Sequence, residues 1–154
     1  VTAVTHDRNQ AKLAIKDVPD RPGIAAKIFG RLAKLNVNVD MIIQSSADKG
    51  FNEIAFTVAR TDLKKALGVL GVIKKTLEAS EIVYDDKVAK VSIVGVGMKS
   101  HPGVASQMFT ALGKKKINIQ MISTSKIKIS CIIGEKDAEK AVKTLHRSFG
   151  LEKK

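Results

Sequence analysis

One βαββαβ-sized pattern is written twice in this chain, and no other feature restricts its fold as tightly. The first copy runs Ala-Lys-Leu-Ala-Ile (residues 11–15), then Pro22-Gly23, a helical stretch, and Asn38-Val39-Asp40-Met41-Ile42. The second runs Ala-Lys-Val-Ser-Ile (residues 89–93), Pro102-Gly103, another helical stretch, and Asn118-Ile119-Gln120-Met121-Ile122. At an offset of 80 residues the same types recur: Pro22/Pro102, Gly23/Gly103, Ala25/Ala105, Phe29/Phe109, Leu32/Leu112, Asn38/Asn118, Met41/Met121 and Ser45/Ser125. A repeat of this kind fixes the architecture before any single residue is interpreted. It implies two related small domains, joined around Tyr84-Asp85-Asp86-Lys87.

Local patterning fills in each copy. Residues 12–18 alternate apolar and polar and predict a strand, stopped by Pro19-Asp20-Arg21-Pro22-Gly23. Ile24, Ala25, Ile28, Phe29, Leu32 and Leu35 then form one stripe of a helix, with Lys27, Arg31 and Lys34 on the opposite side. Strands follow at 39–44 and 53–59 around a turn at 46–50. A second helix opens at Asp62, an N-cap type, with Leu63, Ala66, Leu67, Leu70, Ile73 and Leu77 inward. A fourth strand is predicted at 81–84.

The second copy repeats this at 88–96, 104–116, 117–124, 126–133 and 136–149, and then has no fourth strand: Gly150-Leu-Glu-Lys-Lys154 is too short and charged. The segment 1–5 is strand-like and has no place in the first copy. The economical solution is that the N-terminus completes the second copy, so the first is inserted within it. The expected class is α+β, two βαββαβ units, with a first domain at 8–84 and a second formed by 1–7 plus 85–154.

Composition excludes several classes of function. No apolar run approaches the ~18 residues of a membrane-spanning helix, and no signal-peptide pattern opens the chain. Cys131 is the single cysteine, in the apolar run Ile129-Ser-Cys-Ile-Ile. A buried thiol in a strand is its expected state, no internal disulfide can form, and a reducing cytoplasm is the expected location. Val1 in place of Met fits a fragment or a processed chain. The net charge of +12 invites a nucleic-acid reading, but the lysines are spread over both copies on the outer faces of helices, where they solubilise. No nucleic-acid or membrane partner is expected.

Catalytic and metal motifs are not apparent. Gly95-Val-Gly97-Met-Lys99-Ser100 lacks the spacing of a phosphate loop. His6, His101 and His146 fall on different elements, without metal-ligand spacing. Asp85-Asp86 reads as a turn rather than a catalytic pair. No metal or cofactor is expected.

The strand-to-helix loops are better candidates. Asp20-Arg-Pro-Gly23 and Ser100-His-Pro-Gly103 each open an amphipathic helix. A helix start offers free N–H groups and partial positive charge, which suits a carboxylate, while Gly admits a ligand close to the backbone. Asp20 adds an anion suited to an ammonium or a hydroxyl. Carboxylate and ammonium together describe an amino acid. The competing reading is a tight turn before a helix and nothing more. Asn38-Val-Asp40 and Asn118-Ile-Gln120 begin the following strands, expected at the ends that face these loops.

Tyr84-Asp-Asp-Lys-Val88, the run Lys90-Val-Ser-Ile-Val-Gly-Val-Gly-Met-Lys-Ser-His-Pro-Gly-Val104, Ile122-Ser-Thr-Ser125 and the early Asp-Arg-Pro-Gly resemble the regulatory region of aspartate kinase, along essentially the whole chain. The resemblance implies tandem ACT domains of ferredoxin-like fold in the inserted arrangement. It implies no catalysis by this chain: it would be the regulatory part of an ATP-dependent phosphotransferase, acting with a catalytic subunit or domain. Feedback inhibition by threonine, lysine or both is the implied function, and a homodimer the implied assembly.

The resemblance also implies effector-binding residues. A first site would use Asp20, the backbone of Gly23, Ile24 and Ala25, and the Gln44 side chain, with Asn118, Ile119 and Ser125 from the second copy. A pseudo-symmetric second site would use Met98, Ser100, His101, Gly103 and Val104 with Asn38 and Asp40. Ala105 stands where some family members carry threonine, so the second site is expected to be weaker, different in ligand or empty. Threonine is the first choice of effector and lysine the second.

Two alternatives remain. One is a tandem ACT sensor of another amino-acid-responsive enzyme or regulator. The other is an RNA-binding βαββαβ module, which needs exposed aromatics on its third strand; residues 53–58 and 128–133 hold one between them.

Overall fold

The computed structural model describes residues 1–96 and 102–151. Its elements are β1 (Ala3–Pro19), α1 (Ile24–Lys34), β2 (Val39–Gln44), β3 (Phe51–Val58), α2 (Leu63–Leu77), β4 (Glu81–Val94), α3 (Val104–Lys114), β5 (Ile119–Thr124), β6 (Lys128–Gly134) and α4 (Ala138–Ser148). They form two compact units. The inserted unit is Asn9–Asp86; the host unit is Val1–Arg8 with Lys87–Lys154.

Within the inserted unit the strand order is β2-β3-β1-β4, and within the host unit β1-β4-β6-β5. Both are the ferredoxin-like order, with the two halves of β1 and of β4 used by different units. In the host unit the start of β1 is the fourth strand. There the Thr2 N–H donates to the Val94 carbonyl at 2.7 Å, and the Thr2 hydroxyl to the same oxygen at 3.2 Å. Val1 and Val4 pack on the host core. The first copy is thus inserted in the second, and the N-terminal strand completes the second.

Two features differ from the sequence reading. The strands predicted at 1–5 and 12–18 are one strand of 17 residues, and those at 81–84 and 88–96 are one of 14. Tyr84-Asp85-Asp86-Lys87, read as a joint and a turn, lies inside β4. The charged residues there look like a loop, yet no Gly or Pro breaks the strand, and β1 and β4 are sheet neighbours that keep each other extended. The true break in β1 comes later, where the β1–β3 register shifts between Ile15 and Val18 and Asp17 takes φ 56°. Asp is among the few residues that tolerate this conformation in a bulge.

Each unit has its own core. In the inserted unit Leu13 and Ile15 of β1, with Ile54 and Phe56 of β3, meet Ile28 and Leu32 of α1 and Leu70 and Ile73 of α2. Phe29 sets its ring edge-on to Phe56 at 5.4 Å. The α1 stripe is narrower than its spacing predicts: Leu35 is 48% exposed and Ala25 is exposed. Val69, not on the expected stripe of α2, is buried. Asp62 does precede α2 but makes no side-chain cap bond; a 3-10 turn at Arg60–Asp62 leads into the helix instead. None of the described helices is long and apolar enough to cross a membrane. Strand β3 begins earlier than expected and so carries a second aromatic, Phe51, but Phe56 is fully buried and cannot stack a base.

In the host unit Cys131 lies among Val91, Ile93, Met108 and Leu145. Burial pushes its thiol up to about 12. At pH 8 the thiolate fraction then falls about a thousandfold below that of an ordinary cysteine. A thiol-specific disulfide reagent should label the folded chain negligibly and label it fully in denaturant. Deleting residues 1–7 should strip β4 of its neighbour and abolish cooperative unfolding of the host unit, read by calorimetry. A truncated chain that melts like the intact one would contradict the strand's role.

Candidate functional site

The loop after β1 is shaped by its own sequence. Pro22 cannot donate to a ladder, and Gly23 takes φ 91°, the left-handed conformation that an L side chain adopts at a cost. Gly23 is the N-cap of α1; its carbonyl accepts the first helical bond, from the Lys27 N–H at 3.0 Å. No side chain caps the helix and its first turn has no acid, so no residue of the helix itself answers the N–H groups there. The Asp20 N–H donates to the Gly50 carbonyl at 2.9 Å, tying the loop to the β2–β3 hairpin.

A concavity of ≈ 240 Å³ opens between loop and hairpin, lined by Asp20, Pro22, Gly23, Ile24, Ala25, Gln44, Asn52 and Ile54 among others. Gln44 reaches it because β2 runs parallel to β1, each being antiparallel to β3, so both end on the same side. The five residues expected from the inserted unit, Asp20, Gly23, Ile24, Ala25 and Gln44, therefore surround one cavity. Larger hollows of ≈ 690 and ≈ 640 Å³ are more open; the first is lined mainly by long charged side chains and the second by lysines and an arginine with Leu35, Val69 and Val72.

The sequence reading missed Asn52. Its side chain is 7% exposed, its Nδ2 donates to Asp20 Oδ1 at 3.2 Å, and its own carbonyl oxygen has no hydrogen-bond partner. The signal was the alternation Asn52, Ile54, Phe56, Val58, which puts Asn52 on the core side. Starting the strand at Glu53 concealed it.

The remaining expected residues of the first site belong to the host unit. Asn118 precedes β5 and is exposed, and Ile119 is half-buried where the β5–β6 register shifts. Ser125 closes the β5–β6 hairpin: its N–H and its hydroxyl both donate to the Lys128 carbonyl, at 2.8 and 3.4 Å. Ser45 does similar work at Glu53 in the other hairpin, which accounts for the recurrence of serine at this place.

For the second site, Gly103 is the N-cap of α3 with φ 95°, and Val104 packs on the host core. Met98, Ser100 and His101 lie outside the described residues. Asn38 and Asp40 sit at the end of β2 away from the loop of their own unit. Helix α1 carries the chain back before β2 begins, so the start of β2 pairs with Val58 at the far end of β3. Among the described residues no group of His, Cys, Asp and Glu could hold a metal.

Comparisons with known proteins agree along the whole chain. ACT domain profiles match residues 13–78 and 91–149. An aspartate kinase of Stutzerimonas stutzeri is 51% identical over 152 residues, covering 99% of this chain and 37% of that protein. A crystal structure of aspartokinase alpha and beta subunits contains a chain 47% identical, with TM-score 0.91, covering 97% of this chain and 99% of that one. The ligand-free regulatory subunit of aspartate kinase from Thermus thermophilus is 40% identical, with TM-score 0.91 and coverage of 97% and 98%. This chain belongs to the aspartate kinase regulatory family of tandem ACT domains. It corresponds to the regulatory ACT region and not to the catalytic part, spanning 37% of the length of the curated aspartate kinases it matches.

Two glycines of α1 test whether the loop conformation is as strained as its angle implies. A Cβ at Gly23 or Gly30 would meet nothing within 4 Å, so only the backbone differs between them. Gly23→Ala should destabilise the regulatory chain by about 1 kcal/mol, and Gly30→Ala, in the helix interior, should stabilise it by a similar amount. Denaturant melts of the two variants should move in opposite directions.

Proposed function

We propose that this regulatory chain binds a free amino acid in the loop cavity of the inserted unit and relays feedback inhibition to the catalytic part of an aspartate kinase. The observation that carries the reading is the meeting of opposite chemistries in one small cavity. Uncapped N–H groups at the start of α1 suit a carboxylate, and the Asp20 carboxylate beside them suits an ammonium. Gln44 can take a side-chain hydroxyl. Threonine satisfies all three groups and is the first choice of effector; lysine, with its distal amine, is the second. Aspartokinase III of Escherichia coli, 26% identical with TM-score 0.72, was crystallised with lysine and aspartate in a T-state.

Asn118, Ile119 and Ser125 complete this site in the proposal, and the second site takes Asn38, Asp40, Met98, Ser100, His101, Gly103 and Val104. A homodimer in the cytoplasm, associated with the catalytic subunit or domain, is the working assembly. The family's alpha and beta subunits have been crystallised, which favours a separate catalytic partner.

Thermal unfolding tests the proposal. At about 100 times its dissociation constant, an effector stabilises the fold by ~2.7 kcal/mol. For a chain of this size that raises the melting temperature by roughly 2–4 °C per kcal/mol. Among the amino acids made from aspartate, threonine or lysine should give this shift, and Asp20→Ala should remove most of it by leaving the ligand's ammonium unpaired. Ala105→Thr should alter only binding at the second site. No shift with any of these amino acids, or a shift untouched by Asp20→Ala, would refute the assigned site.

A further inference from the structure

We infer that Asn52 is the residue that makes the first cavity selective for a ligand bearing an ammonium: its amide N–H holds the Asp20 carboxylate in the free chain, and on binding the amide turns to give the ammonium a second acceptor oxygen. The inference rests on the amino-acid reading above and adds a residue and a role to it. Three observations support it. Asn52 lines the cavity and is 7% exposed, so its amide is held by the surrounding structure rather than by water. Its Nδ2 donates to Asp20 Oδ1 at 3.2 Å, which turns its carbonyl oxygen away from Asp20. Exchanging the two amide atoms would set oxygen against carboxylate oxygen, so the orientation follows from the bonding. That carbonyl oxygen is buried without a partner, a state that folded proteins seldom leave unanswered.

The terminal amide torsion of asparagine is soft, and turning it exchanges the bond to Asp20 for one to the ligand: the ammonium takes over as the donor to Asp20 while the amide oxygen becomes its second acceptor. Two acceptors side by side ask for a group with more than one hydrogen to donate. An ammonium has three and a hydroxyl one. The uncapped start of α1 supplies donors for a carboxylate in the same cavity, so the pair selects an ammonium carried next to a carboxylate.

The second copy lacks the pair. Thr124 pairs with Ile129 as Gln44 pairs with Ile54, so Ile127 takes the place of Asn52 and is 53% exposed. Ser100 stands at the repeat position of Asp20. By sequence and register the second copy has no counterpart of the Asn52–Asp20 pair, although the repeat keeps Pro-Gly in both.

The test is calorimetric titration of the full chain with L-threonine and with L-lysine. The analogues 3-hydroxybutyrate and 6-aminohexanoate, each lacking only the α-ammonium, are titrated alongside. Wild type should prefer the amino acid over its analogue, and Asn52→Leu should shrink that preference by about ten- to a hundredfold while the analogue's own affinity stays unchanged. Loss of affinity for amino acid and analogue in equal proportion would mean that Asn52 serves the fold only, and would overturn the inference. So would an unchanged preference, with the proposed function left standing. If wild type binds neither amino acid, the function and the inference fall together. Should Asn52→Leu not fold, Asn52→Ala decides by the same ratio.

Discussion

Sheet closure of the host unit governs how this chain is organised. Its own β4, β6 and β5 make three strands, and β4 is an inner strand whose outer side must meet another strand or leave its backbone groups unpaired. The start of β1 occupies that side, anchored where Thr2 meets Val94. Because β1 continues into the inserted unit and β4 returns from it, the chain enters and leaves that unit along strands and not along linkers. The charged stretch around Asp85 and Asp86 is thereby ordered backbone in a strand.

The same connectivity decides where a ligand can be held. A βαβ crossover sends β1 and β2 in one direction and the helix between them in the other. The end of β1, the start of α1 and the end of β2 therefore meet at one edge of the unit, as Asp20, Gly23 and Gln44 do. The start of β2, with Asn38 and Asp40, is carried to the opposite edge. The β2–β3 hairpin closes the near edge through the Asp20–Gly50 bond and brings Asn52 under the loop. A cavity with donors on one wall and acceptors on another follows from this arrangement.

Comparison of the two copies separates what the fold requires from what the site uses. Apolar residues recur because each unit must bury the same stripe: Leu32 and Leu112 are both fully buried, as are Ile15 and Ile93. Ser45 and Ser125 recur because each closes a hairpin. The residues that differ are the polar ones around the loop: Asp20 against Ser100, Gln44 against Thr124, Asn52 against Ile127. Divergence on a kept scaffold is what two sites with different ligands, or one site and a structural relic, would produce.

The sequence alone determined the repeat, the α+β class, the missing fourth strand and the loop that carries Asp20 and Gly23. These were legible because apolar periodicity, Pro-Gly punctuation and strand count are local signals, each set by a few neighbouring residues. Tertiary structure decided the rest. Whether residues 84–87 turn or extend depends on a strand far away in the chain lying beside them. That Asn38 and Asp40 stand at the far edge depends on the path of α1, and Ser125 binds its own hairpin because of the register of β5 on β6. Asn52 belongs to the cavity because residues 32 positions apart form a hydrogen bond there, a relation that no local pattern in the chain encodes.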